Sequence, residues 1–583
     1  MPNDLSIRAD IETLPRISSQ AEQNVVIDIL QQFSQLTNWR TTFANQWEEV
    51  AQLILPTSRN TFFYQNYNTP GMKKTEQQVD ASGMMALHRF AAICDSLLTP
   101  RNMMWHQLGA NDDYVMKDRA TRLWFEQVTK LLFKYRYSPV ANFAGQNNNN
   151  FQSLGAFGNG AMYVDAFDGR QHHGARGLRY KAVPLGEMFF HENHQGLIDG
   201  FIRWFRLTAR QAVQKWGIGR LPPGLHAALQ NNSEFPYNFL HCVQPRTDYD
   251  PGRYDAKSLP FASHYVSVEG NCLMQPESGY NSFPIAVSRY DQTPGEVYGR
   301  SPAMMVLPAL KTLNAEKRTF LKQGHRAADP VLLIGDDGLV NLSMRPGAQN
   351  FGGVSPDGKP LIHTLPTGNI QISKEMMQDE KSLINDAFLV TLFQILTETP
   401  QMTATEVIER TNEKGILLAP TVGRQQSEYL GPLIDRELDL LMMQGLLPEM
   451  PPRLKEAKGA YQVVYTSPLA RAQRSQEAAG FVRTLETMRE LVNITQDPSL
   501  LDRFDFDTAV PAIAEIQGVP ESWMSDDNAV AAKRKARAQA AAQKQATDAL
   551  PAQAAMIKAR AVQAKSGVAL SPGGQPQQQP QGV

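Results

Sequence analysis

Apolar side chains recur every three to four residues from about 20 to 55 (Val26, Leu30, Phe33, Phe43, Trp47, Val50), which is a helical period, and Pro56 closes the run. A second run, about 75–98, sets Val79, Leu87, Phe90, Cys94 and Leu97 on one side and stops at Thr99-Pro100, and a third covers about 114–135. The texture then changes. Ala161–Phe167, Leu178–Val183, Ile198–Leu207, Phe239–Val243, His264–Val268 and Pro284–Tyr290 are short, β-branched or aromatic, and separated by Gly, Pro and Asp. That pattern predicts a mixed, strand-rich region. Within it Thr208-Ala-Arg-Gln211 forms a capping box, so a short helix is expected up to Trp216, before Gly217. Trp39, Trp47, Trp105, Trp124, Trp204 and Trp216 occupy apolar positions of these elements and are expected to pack inside.

At Ser301-Pro302 helical spacing resumes, with Ser as N-cap and Pro in the first turn. Few breakers follow before Asp329-Pro330, so a helix of about 26 residues, roughly 39 Å long, is predicted with a kink near Pro308. Residues 330–370 are punctuated by Gly and Pro around short apolar runs such as VLLI and PLIHTL, the composition of a small, turn-rich β unit. A second long helix is expected from Ser373 to about Val390, with Met377, Ile384 and Phe388 near one face. Two long helices thus bracket a β insertion. Thr403-Ala-Thr-Glu406 is a capping box for a further helix, leaving a connector over 391–402 that contains Pro400. Helical patterns dominate from there to about 525.

Over 583 residues, 42 % hydrophobic and 20 % charged, the chain has the composition of a folded protein of roughly three to four domains. Lys plus Arg numbers 57 and Asp plus Glu 58, so whole-chain basicity is absent and any nucleic-acid contact must be local. The positive charge is concentrated late. From Ala529 to Lys565 eight cations stand against Asp548, a net of plus seven, which leaves minus eight for the rest. That Ala/Gln-rich segment favours helix but has little to bury, and the closing SPGGQPQQQPQGV is low complexity. Three scattered cysteines, Cys94, Cys242 and Cys272, build neither a disulfide framework nor a zinc site. The N-terminus lacks the order of a signal peptide, and the most lipid-like stretch, Phe388–Leu396, is about half a membrane span. A soluble protein without membrane insertion is expected.

Reactive constellations are missing. Gly353-Val-Ser-Pro-Asp-Gly358-Lys359 has the spacing of a phosphate loop but continues into Pro360, which lacks the hydroxyl that binds magnesium, and it sits among turn signals. His191 and His194 are three apart, one short of a zinc-protease pair, and read as surface loop. Asp502, Asp505 and Asp507 lack the glycine and terminal glutamate of a calcium loop. No catalytic residue, metal or cofactor is therefore assigned, and an assembly component is favoured over an enzyme.

The order of parts resembles the portal proteins of tailed bacteriophages, and specific words narrow the likeness to the head-to-tail connecting protein of short-tailed phages. These words are Trp47 to Pro56 (WEEVAQLILP), Ala81 to Leu108 (ASGMMALHRFAAICDSLLTPRNMMWHQL), Gly158-Asn-Gly160, residues 294–314 (PGEVYGRSPAMMVLPALKTLN), and Thr466-Ser-Pro-Leu-Ala-Arg-Ala-Gln473. They appear in order over about 20–525; the first twenty residues and the Ala/Gln-rich tail match poorly.

The resemblance implies an α+β portal fold assembling as a closed ring, generally of twelve subunits, at one capsid vertex. Its parts would be an N-terminal extension (1–19), a wing (20–300), a first stem helix (301–329), a β-rich clip (330–370), a second stem helix (371–390), a tunnel loop (391–402), a helical wing return and crown (403–528), and a basic tail (529–583), either a barrel helix or disordered. The implied function is a passive conduit for packaging and ejecting double-stranded DNA, without sequence specificity. Implied partners are further copies of the chain, the major capsid and scaffolding proteins, the terminase large subunit, then the tail adaptor, and internal core or ejection proteins. The implied location is the virion, with assembly in host cytoplasm. Gln394, Thr397, Glu398 and Gln401 would line the tunnel loop, and Lys311, Lys317, Arg318, Lys322 and Arg326 on the stem would face the channel, pair with a neighbouring subunit or lie in solvent. Asp336, Asp337, Arg345, Asn350, Phe351 and Lys359 would contact partners from the clip, and Lys533, Arg534, Lys535 and Arg537 would face DNA from the tail. The rival readings are an enzyme of the packaging apparatus, nuclease or NTPase, and a capsid or scaffold component.

Overall fold

The computed structural model describes residues 19–565 apart from 64–70, 168–173, 175, 232–233, 335–341, 367–369, 392–417, 458, 467, 496–503, 518 and 520. The first helix, α1 (Gln20–Leu53), opens with a capping box between Ser19 and Glu22 and stops where Pro56 follows. Next come α2 (Ser82–Leu98), β1 (His106–Ala110), α3 (Arg119–Arg136) and α4 (Phe143–Phe157). The strand-rich part holds β2 (Asn159–Ala166), β3 (Leu178–Ala182), β4 (Met188–Glu192), β5 (Ile198–Thr208), α5 (Ala209–Trp216), β6 (Pro236–Pro245), β7 (Phe261–Ser267), β8 (Cys272–Leu273), β9 (Ser278–Tyr280) and β10 (Ile285–Arg289). The predicted capping box of α5 is formed between Thr208 and Gln211, and Gly217 follows it at φ 85°.

Strands β4 to β8 form one antiparallel sheet in sequence order, with β9 pairing on β7. The first half of α1 covers one face, burying Val26, Ile29, Phe33 and Leu36 against Phe189, Ile202, Leu240 and Val266. α5 covers another part, packing Trp216 with Phe205, Phe239 and Tyr265. Each such side chain, fully buried, contributes about 1.5–3 kcal/mol. The second sheet, β10–β2–β3, is overlaid by α4. The excursion follows: α6 (Pro302–Met305), α7 (Leu307–Ala328), β11 (Leu332–Ile334), β12 (Ile362–Thr364) and α8 (Ile370–Ala387). The chain is next described from 418, where a helix passes through a π-helical turn (Gln425–Leu430) into α9 (Gly431–Met443). β13 (Tyr461–Tyr465), α10 (Pro468–Thr495), α11 (Phe506–Gln517) and α12 (Asp527–Lys565) complete it.

The returning chain closes the body in two ways. β13 pairs antiparallel with β1, Leu108 opposite Val463, across some 350 residues of sequence. Beside it, fully buried Arg136 on α3 meets Glu437 on α9: Nε donates to Oε1 at 2.9 Å, Nη2 donates to Oε2, and the Tyr180 hydroxyl donates to Oε1 at 2.6 Å. The guanidinium lies 4.6 Å above the Trp105 ring, and its Nη1 is 2.9 Å from His106 Nε2. Burial opposes the Arg136 charge but the carboxylate outweighs it and raises its pKa, whereas burial and Arg136 hold His106 well below the usual histidine value.

Three further buried arginines act similarly. Arg289 on β10 donates to both Glu428 oxygens on the π-turn, and Arg436 on α9 donates to Val164 O and Asp439. Arg40 on α1 donates to four carbonyls, of Leu185, Gly186, Met188 and Phe62, over the Phe189 ring; burial lowers its pKa to about 10.

The structure corrects several expectations. Trp39 is 75 % exposed, because it lies a quarter-turn from the α1 face that Leu36 and Arg40 present to the core. Residues 75–81 precede α2 rather than extend it. β13 interrupts the helical pattern expected after 403, stabilised by a strand the sequence places far away. His191 lies in β4, paired with Gly200, not in a surface loop.

Removing one partner of the Arg136–Glu437 pair strands a buried charge, so Arg136→Met or Glu437→Gln is expected to lower unfolding free energy by about 3–5 kcal/mol. Arg136→Met combined with Glu437→Gln should cost much less than the sum of the two; denaturant titration of the four proteins measures this.

Candidate functional site

The excursion leaves the body through a junction whose residues the sequence marks. Gly158 has φ 75°, and a Cβ there would lie 2.4 Å from Gly299 O; a Cβ at Gly160 would meet Asn150 Oδ1 at 2.3 Å. Between them Asn159 accepts from Gly299 N at 2.8 Å and donates to Phe157 O and Gly299 O at 3.0 Å. The Gly-Asn-Gly word therefore encodes a backbone-to-backbone seat for the segment entering α6. Ser301 completes it, capping Met304 N at 2.9 Å and donating to the Ala156 carbonyl at 2.8 Å. α6 and α7 break at Val306, two residues before Pro308.

The base of α7 is locked into the body. Ala309, Leu310 and Leu313 are buried, and Asn314 accepts from Val79 N at 2.8 Å while donating to Gln77 O at 3.1 Å. From α8, Met377, Ile384 and Phe388 reach the same core, and Phe320 packs against it. Beyond that level the two antiparallel helices continue against each other. Ser373 Oγ donates to Gln323 Oε1 at 3.2 Å near the far end. At mid-height the seam holds two carboxylates, Glu316 and Glu380, each with an oxygen shielded from solvent and accepting no hydrogen bond among the described residues. Burial, then the Glu380 charge, raises the pKa of Glu316.

Of the five cations expected to matter on this hairpin, Lys311 pairs with Glu49 at 2.5 Å and Arg318 donates to Gln77 O at 2.5 Å, both within the chain. Lys317 lies 5.6 Å from the Phe320 ring, while Lys322 and Arg326 are exposed. Beyond the hairpin, β11 and β12 pair with Leu333 opposite His363, and Leu333 and Ile334 are exposed. Asn350 is half-buried and clamps Ser343, accepting from its N–H at 2.8 Å and donating to its carbonyl at 3.0 Å. Arg345, Phe351 and Lys359 are exposed, Phe351 at 85 %. The Gly353–Lys359 segment is a reverse turn closed by Ser355 N–H on Lys359 O at 2.8 Å. Asp336, Asp337 and the whole set Gln394, Thr397, Glu398 and Gln401 lie outside the described residues, as does the capping box at 403–406.

In the tail, α12 is helical over 39 residues, and its Arg534 pairs with Asp507 on α11 while Lys533 donates to Ser525 Oγ at 2.9 Å. Lys535 and Arg537 are exposed. Among the described residues, no group of three or more His, Cys, Asp or Glu is placed to hold a metal ion, and no helix is long and apolar enough to cross a membrane.

Because its pKa is raised in the fold, Glu316 contributes stability that is present at acid pH and lost as pH rises through that raised value. Glu380→Gln removes the facing charge but not the burial, so the hairpin should gain about 0.5 kcal/mol at neutral pH and lose the smaller part of its acid dependence. Hydrogen exchange of the α7 and α8 amides across the pH range reads both effects.

The family described as bacteriophage head to tail connecting protein matches residues 27–524. The portal protein of Salmonella phage epsilon15 is 28 % identical over 534 residues, covering 89 % of this chain and 92 % of its own. The probable portal protein of Bordetella phage BPP-1 is 28 % identical over 533 residues, with the same coverage. A chain from the virion of the native gene transfer agent (GTA) particle aligns over 69 % of this chain and 85 % of its own, at TM-score 0.31 and 14 % identity, a likeness too weak to add to the argument.

Proposed function

Because the chain belongs to the bacteriophage head-to-tail connecting protein family, we propose that it is a portal subunit of a short-tailed phage, forming a closed ring of twelve at one capsid vertex through which double-stranded DNA is packaged and later ejected. The observation that carries the reading is the match over 89 % of the chain to two relatives described as portal proteins, together with an excursion built where such a protein needs its stem. In this reading residues 20–300 are the wing, α6–α7 and α8 the stem, 330–370 the clip, 391–402 the tunnel loop, and 403–528 the wing return and crown.

The physical properties support a passive role. A heterologous contact repeated about a closed axis gives every subunit the same two neighbours and ends assembly at a fixed number. The hairpin and the β11–β12 unit carry little core of their own, as expected of parts completed by neighbours. Terminase and then the tail adaptor would dock on the clip, where Phe351, Arg345 and Lys359 are exposed. A sliding DNA needs few tight phosphate contacts, and the near-neutral chain agrees. The basic tail helix, placed inside the capsid, would be the local exception. Capsid, scaffolding and internal core proteins would meet the wing and crown, with assembly in the host cytoplasm.

Twelve chains of 65.0 kDa make a particle of roughly 780 kDa. Light scattering with negative-stain class averages should show closed rings of that mass with a central channel; a persistent small species under assembly conditions, with ATP turnover, would return the enzyme reading. Deleting 394–401 should leave ring assembly intact and impair DNA packaging or retention, and normal packaging by the deleted ring would remove the tunnel-loop assignment.

A further inference from the structure

One sheet edge of the body has no partner strand among the described residues. In the β1–β13 ribbon the Thr466 N–H donates to Trp105 O at 2.8 Å, whereas the N–H groups of Leu108 and Ala110 donate away from β13, to Thr129 Oγ1 at 3.2 Å and Met116 Sδ at 3.1 Å. Residue pairs along an antiparallel ladder alternate between hydrogen-bonded and non-bonded, so His106–Tyr465, Leu108–Val463 and Ala110–Tyr461 are the non-bonded ones. On β13 the backbone N–H and C=O of Tyr461, Val463 and Tyr465 therefore point to the far side of the ribbon. There they make no hydrogen bond among the described residues; only the side chains are engaged, the Tyr461 hydroxyl donating to Asp435 and the Tyr465 hydroxyl to Gln426 O at 2.9 Å. Nothing on this edge discourages pairing. Tyr461-Gln-Val-Val-Tyr465 is uncharged, lacks proline and is rich in β-branched and aromatic residues, where protected edges carry Lys, Pro or a bulge, and all five residues are exposed or half-buried.

The chain carries a segment of the matching kind. Residues 1–18, outside the described residues, contain Leu5-Ser-Ile-Arg-Ala-Asp-Ile-Glu12, in which Leu5, Ile7, Ala9 and Ile11 alternate with Ser6, Arg8, Asp10 and Glu12. A period of two is the pattern of a strand with one buried face. Pro2 and Pro15 bound the segment, and residues 13–18 join it to the Ser19 cap of α1. Fully extended, that joint spans about 20 Å. α1 starts on the β4–β8 sheet, where it buries Val26 and Ile29, whereas the core of α3, α4 and α9 on which Val463 and Tyr465 pack contains no residue of α1. The arm thus leaves from a different core than the one that carries β13.

We infer that Leu5–Glu12 of one copy adds as a strand to the open β13 edge of a second copy. Its apolar row turns to the side of Tyr461, Val463 and Tyr465, and its polar row lies outward beside Gln462. Main-chain hydrogen bonds to three edge residues supply the attachment, and the alternating side chains set the face. The occupant is another copy because each molecule carries one such arm and one such edge, a head-to-tail contact that satisfies every copy once the assembly closes on itself. The inference rests on the self-association in the ring reading above and not on the number of subunits.

The test changes each side of the joint separately. Val463→Pro removes an N–H that β1 does not use, so the β1–β13 ladder should persist while an added strand loses its central bond. Deleting residues 1–14 removes the arm. Each change should raise the concentration needed for half-assembly, read by light scattering, by about ten-fold, and the two together should do no more than either alone. Crosslinking is a second readout that does not depend on the proline variant folding. With Gln462→Cys in place, oxidation should yield covalent oligomers with at least one of Ser6→Cys, Arg8→Cys, Asp10→Cys and Glu12→Cys, and none with Ile7→Cys or Ile11→Cys, which fall on the other face. Wild-type assembly by the deleted chain, crosslinks that ignore this alternation, crosslinks confined to single chains, or covalent dimers from Gln462→Cys alone, the mark of two β13 edges meeting, would each overturn the strand exchange. Closed rings without the expected crosslinks would overturn it and leave the ring reading standing; a wild-type chain that stays monomeric under assembly conditions overturns both.

Discussion

The body of this protein depends on closing around a charge. Arg136 projects from α3 into a site walled by Trp105, Phe133 and Phe143, where an isolated guanidinium would be far too costly to keep. Its counter-ion, Glu437, lies 301 residues later on a helix that exists only after the excursion has ended. Fixing that carboxylate fixes α9, and with α9 come Arg436 on the Val164 carbonyl, Tyr429 on Asn147 at 2.7 Å, and Glu428 on Arg289 through the π-turn. A hydrophobic contact alone would tolerate sliding; a buried bidentate pair with a tyrosine donor tolerates very little.

That closure explains how the excursion can be so sparsely packed. Both its ends are clamped, at Asn159 and Ser301 on the way out and at Arg289 and Arg136 on the way back. Between the clamps α7 and α8 are held at their base by Leu310, Leu313, Ile384 and Phe388, and a pair of facing carboxylates, Glu316 and Glu380, separates that base from the next apolar contact of Met377 and Phe320. A helix pair with that seam is weakly self-sufficient and correspondingly open to completion from outside.

Much of the architecture was legible in sequence for local reasons. Periodicity gave α1 and α3, turn punctuation gave β2, β3, β5 and β10, and the Thr208–Gln211 box and Gly217 bounded α5. What stayed hidden depends on long-range partners. α4 was missed because its run Gln146–Asn150 looks like a polar loop, yet Asn147 and Asn150 are buried and bonded to Asp95, Thr99 and Ser288. β13 has no flanking hairpin signal, since its partner is β1. The four buried arginines read as ordinary surface cations until their acceptors are placed. Of the candidate site, the two long helices and the turn-rich unit between them were legible, but not the intrachain duties of Lys311, Arg318 and Asn350, whose partners are placed only by the fold.

The pairing of β1 with β13 has a consequence for synthesis. Roughly 350 residues separate the two strands, which at about 5–20 residues per second is some 20–70 s of translation. Throughout that interval β1 has an open edge and Arg136 has no carboxylate, so the amino-terminal half cannot settle into its final form on the ribosome. A chain truncated before Glu437 lacks both the strand that pairs with β1 and the carboxylate that neutralises Arg136. The late return makes closure of the amino-terminal half conditional on synthesis as far as Tyr465.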